Sequence, residues 1–138
     1  IIKGEEKIHH FQTCSLFLSA SYSEGFSRSL LEAMTMGKPL AYTPVGAHKE
    51  VLEDKVHGYQ FAPGDLEGMK QAIMNLLENQ KEARQIGNRN ALYARSCFSI
   101  TTISQKLKNI LTETVEHQWG ECYANQFTIW EIYCVESN

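Results

Sequence analysis

The sequence contains no apolar run near the ~18 residues that a bilayer-spanning helix needs, and no basic stretch followed by an apolar segment marks a secretion signal. No transmembrane segment and a cytoplasmic location are therefore expected. It also has no Cys-x-x-Cys pair: Cys14, Cys97, Cys122 and Cys134 stand far apart, which reads as cytosolic thiols rather than a disulfide or metal framework. His9 and His10 are neighbours that a helix would point in different directions, while His48, His57 and His117 stand alone, so no metal site is assigned. Positive charge is not in excess, since 13 Lys and Arg face 16 Asp and Glu for a net charge of −3. That balance argues against nucleic acid as a partner. Internal repeats and low-complexity linkers are missing too. The chain opens on Ile1 rather than Met, so its start is expected to be a cut and its domain incomplete.

What is present is 138 residues, 43% of them hydrophobic, which suffices for one domain with a real core. Charge divides this chain unevenly. Residues 1–108 hold all 13 basic residues and 11 acidic ones, a balance of +2, whereas 109–138 hold five Glu and no Lys or Arg, a balance of −5. Both tryptophans, Trp119 and Trp130, lie in the acidic part. The expected organisation is a body over 1–115 carrying the function and a helical, acidic and aromatic tail over 116–138.

Apolar periodicity orders the body. Ile1 and Ile2 read as the end of a strand, residues 5–14 as a short helix with Ile8, Phe11 and Cys14 on one side, and Leu16-Phe17-Leu18 as a buried strand. After a turn-like stretch at 21–25, Leu30, Leu31, Ala33 and Met34 give a helical face that stops near Gly37 and Pro39. Pro39 to Thr43 is a second strand, 47–54 a short helix and Tyr59-Gln60-Phe61 a third strand. Asp65 is an N-cap for a helix bearing Leu66, Met69, Ile73, Leu76 and Leu77. A weaker helix over 81–95 is interrupted by Gly87, and a last one carries Ile100, Ile103, Leu107, Ile110 and Leu111. Strands alternating with helices predict an α/β fold, a parallel sheet covered by helices.

In such a sheet ligands sit beyond the carboxyl ends of the strands, and the loop at 21–26 is in that position. The helix that follows offers unpaired amides and partial positive charge near Gly25, Phe26, Ser27 and Arg28, suited to an anionic or polyhydroxylated ligand. Gly25 lets a ligand approach the backbone. Glu24 precedes the helix and Glu32 lies inside it, ~12 Å apart if the intervening residues are helical, so one carboxylate could serve each end of an extended ligand. The competing reading is local: Ser21-Tyr-Ser-Glu24 and Ser29-Leu-Leu-Glu32 both match the Ser-x-x-Glu capping box, in which the Glu only satisfies a backbone donor. By spacing alone capping is favoured, and Arg28 and Lys38 read as solvated surface charges.

The run from Ser21 to Pro39, with Glu24-Gly25-Phe26, then Leu31-Glu32-Ala33-Met34, then Gly37-Lys-Pro39, resembles the donor-binding signature of retaining glycosyltransferases of GT-B fold, glycosyltransferase family 4. The likeness continues through Val45-Gly46-Ala47, Glu50, His57-Gly58-Tyr59 and Pro63-Gly64-Asp65, and fades after Phe98-Ser99. It implies a Rossmann-like sheet that is an incomplete C-terminal domain of a GT-B enzyme. Glu32 would then hydrogen-bond the ribose hydroxyls of a UDP-, GDP- or ADP-sugar. Glu24 would lie by the donor sugar as the catalytic carboxylate, and the amides of Gly25, Phe26 and Ser27 would contact sugar or diphosphate, with Arg28 contributing charge. No obligatory metal is implied. The acceptor, a glycan or lipid-linked sugar, would bind an N-terminal domain that this chain lacks, with peripheral contact to a membrane face.

This sequence departs from the family in having Ser27 and Ala47 where Gly is frequent, substitutions that an ordinary backbone geometry tolerates. The family's Arg and Lys that grip the diphosphate come from upstream, and Lys3 lies too near Glu24 to replace that Lys. The chain alone is therefore expected to be inactive. Two alternatives remain beside transfer: a sugar-nucleotide epimerase of related fold, and a non-catalytic interaction module. Trp119, Tyr123, Phe127 and Trp130 share helical spacing, which core packing or an interdomain contact would explain.

Overall fold

The structure, a computed structural model, describes residues 4–119, with side chains to residue 114. Expectations for Ile1, Ile2 and Lys3, for Cys122 and Cys134, and for the aromatic stripe from Tyr123 to Trp130 fall outside the described residues. Two compact units divide the chain, one ending at Phe98 and the other beginning at Ser99.

In the first unit α1 (Gly4–Thr13) leads into β1 (Phe17–Ser19), α2 (Arg28–Thr35), β2 (Leu40–Tyr42), α3 (His48–Val51) and β3 (Gly58–Gln60). Helices α4 (Leu66–Glu78) and α5 (Gln80–Phe98) follow. The three strands are parallel in the order β1-β2-β3, with Phe17, Leu40 and Gly58 in register across the sheet. Parallel neighbours need a crossover, and α2 and α3 provide the two crossovers.

Side chains alternate along a strand, and β2 uses both of its faces. Leu40 and Tyr42 join Leu30, Ala33, Met34, Leu52 and Ala94 in one core, while Ala41 joins Phe61, Ala72, Leu76, Ala83 and Ile86 in the other. Helix α5 thus serves both layers, its first half against α4 and its second against α2. Each fully buried Leu, Met or Ile here contributes about 1.5–3 kcal/mol from apolar burial.

Gly87, which breaks the apolar period of α5, is buried where α5 crosses the end of α2, and a β-carbon there would overlap the Gly37 carbonyl. The glycine is the condition for close packing. Three residues on, the fully buried Asn90 donates from Nδ2 to the carbonyls of Lys38 at 2.9 Å and His57 at 2.8 Å. It satisfies two backbone acceptors just before β2 and β3.

Lys38 is not a solvated charge. Its Nζ donates to the carbonyls of Gln12 at 3.0 Å and Cys14 at 2.9 Å, closing the carboxyl end of α1, where a cation is favoured. In the second unit α6 (Ile100–Trp119) starts with Ser99 Oγ accepting from the Thr102 amide at 3.1 Å. Its expected apolar face is exposed: Ile100, Ile103, Leu107, Ile110 and Leu111 all keep substantial solvent contact.

Candidate functional site

The loop at 20–27 joins the carboxyl end of β1 to α2, the position expected for a ligand site. Ser27 is the N-cap, in extended backbone at φ −69° and ψ 112°, and its Oγ accepts from the Leu30 amide at 3.4 Å. The amides of the first turn, at Arg28 and Ser29, have no intrahelical acceptor in a helix of this start, which leaves partial positive charge facing the loop. Arg28 and Gly25 are exposed, and a β-carbon at Gly25 would meet nothing of the protein within 4 Å. The space beside Gly25 is therefore open to a ligand. Phe26 turns its ring onto Phe98, with centroids 5.1 Å apart.

Neither glutamate forms the capping box that spacing favoured. Ser29 lies inside α2, one residue beyond its first position, so it cannot be the cap and Glu32 has no exposed amide to receive. Glu32 pairs instead with Lys7 of α1, whose Nζ lies 2.5 Å from Oε2. Oε2 itself has almost no solvent exposure, so Lys7 is the partner that meets its charge. Glu24 is half-buried and its Oε1 accepts from Ser21 Oγ at 2.7 Å, a side-chain bond rather than a helix cap. Each carboxylate thus has one partner and spare acceptor capacity.

A second loop, between β2 and α3, supports the first. Thr43 Oγ1 donates to the Ser21 carbonyl at 2.7 Å, and Gly46 at φ +51° packs against the backbone carbonyl of Glu24. A β-carbon at Gly46 would overlap that carbonyl. Ala47, where the resemblance favours glycine, has φ −63° and ψ −17°, an ordinary helical geometry open to any residue, and Ser27 is equally unstrained. The sequence offered Ser21 only as part of a capping box and gave no sign of Thr43, because a hydroxyl and a carbonyl 22 residues apart carry no shared local pattern. The presence of a Gly-containing turn after each of two adjacent strands was the one available signal. Among the described residues no group of three His, Cys, Asp or Glu stands close enough to hold a metal ion.

Residues 2–92 match the family described as glycosyl transferases group 1. The chain belongs to that family. The chain is 25% identical over 119 residues to the O-antigen chain mannosyltransferase C of Escherichia coli, covering 84% of this chain and 32% of that protein. It is 36% identical over 74 residues to the N-acetyl-alpha-D-glucosaminyl L-malate synthase of Bacillus anthracis, covering 54% of this chain and 19% of the relative. Among solved structures, Anabaena HepE in complex with UDP superposes with a TM-score of 0.74 at 25% identity, over 80% of this chain and 30% of that one. A glycosyltransferase from Rickettsia africae gives the same TM-score of 0.74 at 21% identity, over 83% and 31%. The Rossmann-like, GT-B type α/β architecture expected from the sequence is the one observed. The chain spans about a third or less of the length of these relatives.

Proposed function

We propose that this chain forms the donor-binding half of an enzyme that transfers a glycosyl group from a nucleotide-diphosphate sugar to an acceptor with retention of configuration. The observation that supports this reading is Glu24 in the loop after β1, with Glu32 on the helix that follows, in a glycosyl transferases group 1 chain. Glu24 is held by the Ser21 hydroxyl in the loop before α2, and Glu32 is paired with Lys7. Glu32 accepts from the two vicinal ribose hydroxyls, for which a carboxylate has the acceptor capacity. Its contact with Lys7 is half-exposed and cheap to rearrange.

The amides at Gly25, Phe26 and Ser27, with the Arg28 guanidinium, face the diphosphate and donor sugar. As the glycosidic bond breaks, negative charge grows on the leaving diphosphate, and fixed N–H dipoles at a helix start stabilise it without reorganising. Glu24 lies by the sugar as the catalytic carboxylate, and no obligatory metal takes part. UDP in complex with the Anabaena relative supports a uridine nucleotide as the first donor to test. Acceptor binding, whether of a glycan, a lipid-linked sugar or a small molecule, and the upstream cations for the diphosphate are assigned to residues outside this chain. The chain alone is accordingly without turnover, and the parent acts in the cytoplasm or at the cytosolic face of a membrane.

Calorimetric titration of UDP, GDP and ADP against the wild-type chain and Glu32→Ala tests the reading. A nucleotide binds the wild type, and the variant loses about tenfold or more in affinity, the scale of a hydrogen bond to a charged group. No binding of any of the three removes the donor-binding assignment. Equal binding by both proteins removes Glu32 from it.

A further inference from the structure

We propose that Thr43 is a positioning residue for the donor loop, its hydroxyl acting through Ser21 to hold Glu24 in place for the donor sugar. Thr43 follows β2 and is fully buried. Its amide donates to the Ser19 carbonyl at 2.9 Å, which already closes the end of the β1–β2 ladder. The hydroxyl is therefore not needed for strand register. It donates instead across to the next loop, at 2.7 Å to the Ser21 carbonyl, with Ser19 a longer second acceptor at 3.3 Å.

From the other side the Thr43 carbonyl receives the Nδ1–H of His48, itself buried, at 3.1 Å. A carbonyl only accepts, so this bond fixes the imidazole with its proton on Nδ1 whenever the ring is neutral. The Ser21 hydroxyl then donates to Glu24 Oε1 at 2.7 Å. Three bonds, joined through the covalent frames of Thr43 and Ser21, thus lead from the buried His48 to the carboxylate assigned to the sugar. The backbone of the same loop is held a second time, where Gly46 packs on the Glu24 carbonyl. Besides the Phe26 ring on Phe98, these contacts are what hold the exposed loop in one conformation.

The role in transfer rests on the donor-binding reading, but the positioning itself does not, and the test separates them. In the labelled chain, backbone order parameters of residues 22–26 are measured for wild type, Thr43→Val and Thr43→Ser, and UDP-glucose and UDP are titrated against each. Valine keeps the shape and loses the donor; serine keeps the donor. The expected result is order parameters falling from the rigid range near about 0.85 to below about 0.6 in the valine variant only. With it, UDP-glucose affinity drops about tenfold while UDP changes less than about threefold, and serine restores both. Wild-type order in the valine variant, or a serine variant as impaired as valine, overturns the role of Thr43. A wild-type chain that binds neither ligand overturns the donor reading, and the order parameters then judge Thr43 alone. Should the valine chain not fold, Thr43→Ala, which demands no extra space, takes its place against the serine variant.

Discussion

Gly46 lies against the backbone carbonyl of Glu24, close enough that no β-carbon fits between them. Two chain segments 22 residues apart are thereby pressed together at the mouth of the candidate site. The contact needs both the absence of a side chain and the left-handed backbone of Gly46 at φ +51°.

Gly46→Ala is therefore expected to displace the Glu24 loop rather than the sheet. Overpacking of this kind costs about 1–3 kcal/mol, with the left-handed alanine adding to it. Amide shifts in a correlated NMR spectrum will move at residues 21–27 and 43–49, while those of α4 stay at their wild-type positions. Shifts spread evenly over both cores would contradict the local reading.

Asn90 makes a separate prediction about the scaffold. It joins α5 to the backbone ahead of both β2 and β3, and it is fully buried. Asn90→Leu fills similar space but leaves the Lys38 carbonyl without this donor and the His57 carbonyl with only the longer bond from the Leu40 amide at 3.3 Å, at about 1–3 kcal/mol for a group left unsatisfied. Urea denaturation should show a loss of about 2 kcal/mol or more with an unchanged slope. A loss below about 0.5 kcal/mol would mean that water or backbone shifts replace both bonds.

Legibility in the sequence followed the range of the interaction. The N-cap at Asp65 and the apolar faces of α2 and α4 are set within four residues, so spacing revealed them. The partners of Glu24 and Glu32 were misread, because Ser-x-x-Glu fits two side-chain arrangements and only the register of the helix start chooses between them. With Ser27 as cap, Ser29 falls inside the helix. Gly87 looked like a weak point in α5 by periodicity and Asn90 gave no signal, yet both are buried against turns more than 30 residues away. A polar or missing side chain at a core position is explained by the backbone it meets, and a single helix pattern does not contain that backbone. Lys38 went the same way: its acceptors, the carbonyls of Gln12 and Cys14, lie at and just past the end of another helix.

His57 makes stability depend on pH near neutrality. The ring is buried against Tyr93, with centroids 4.7 Å apart, and Nδ1 accepts from the Glu53 amide at 3.0 Å, which requires a free lone pair there. Burial is the main cause holding its pKa below the ordinary 6.5, and Arg89 acts in the same direction against the opposing Glu53 carboxylate. The folded chain thus binds the proton less well than the unfolded chain, so acid favours unfolding. The contribution is complete above about pH 6.5 and is lost as pH falls toward the lowered folded value. Urea midpoints at about pH 7.5 and about pH 5.5 should fall for the wild type. His57→Asn keeps an acceptor for the Glu53 amide and cannot take up a proton, so its midpoint, although lower overall from lost packing on Tyr93, should change less between the two conditions. An equal fall in both proteins would assign the pH dependence to the carboxylates instead.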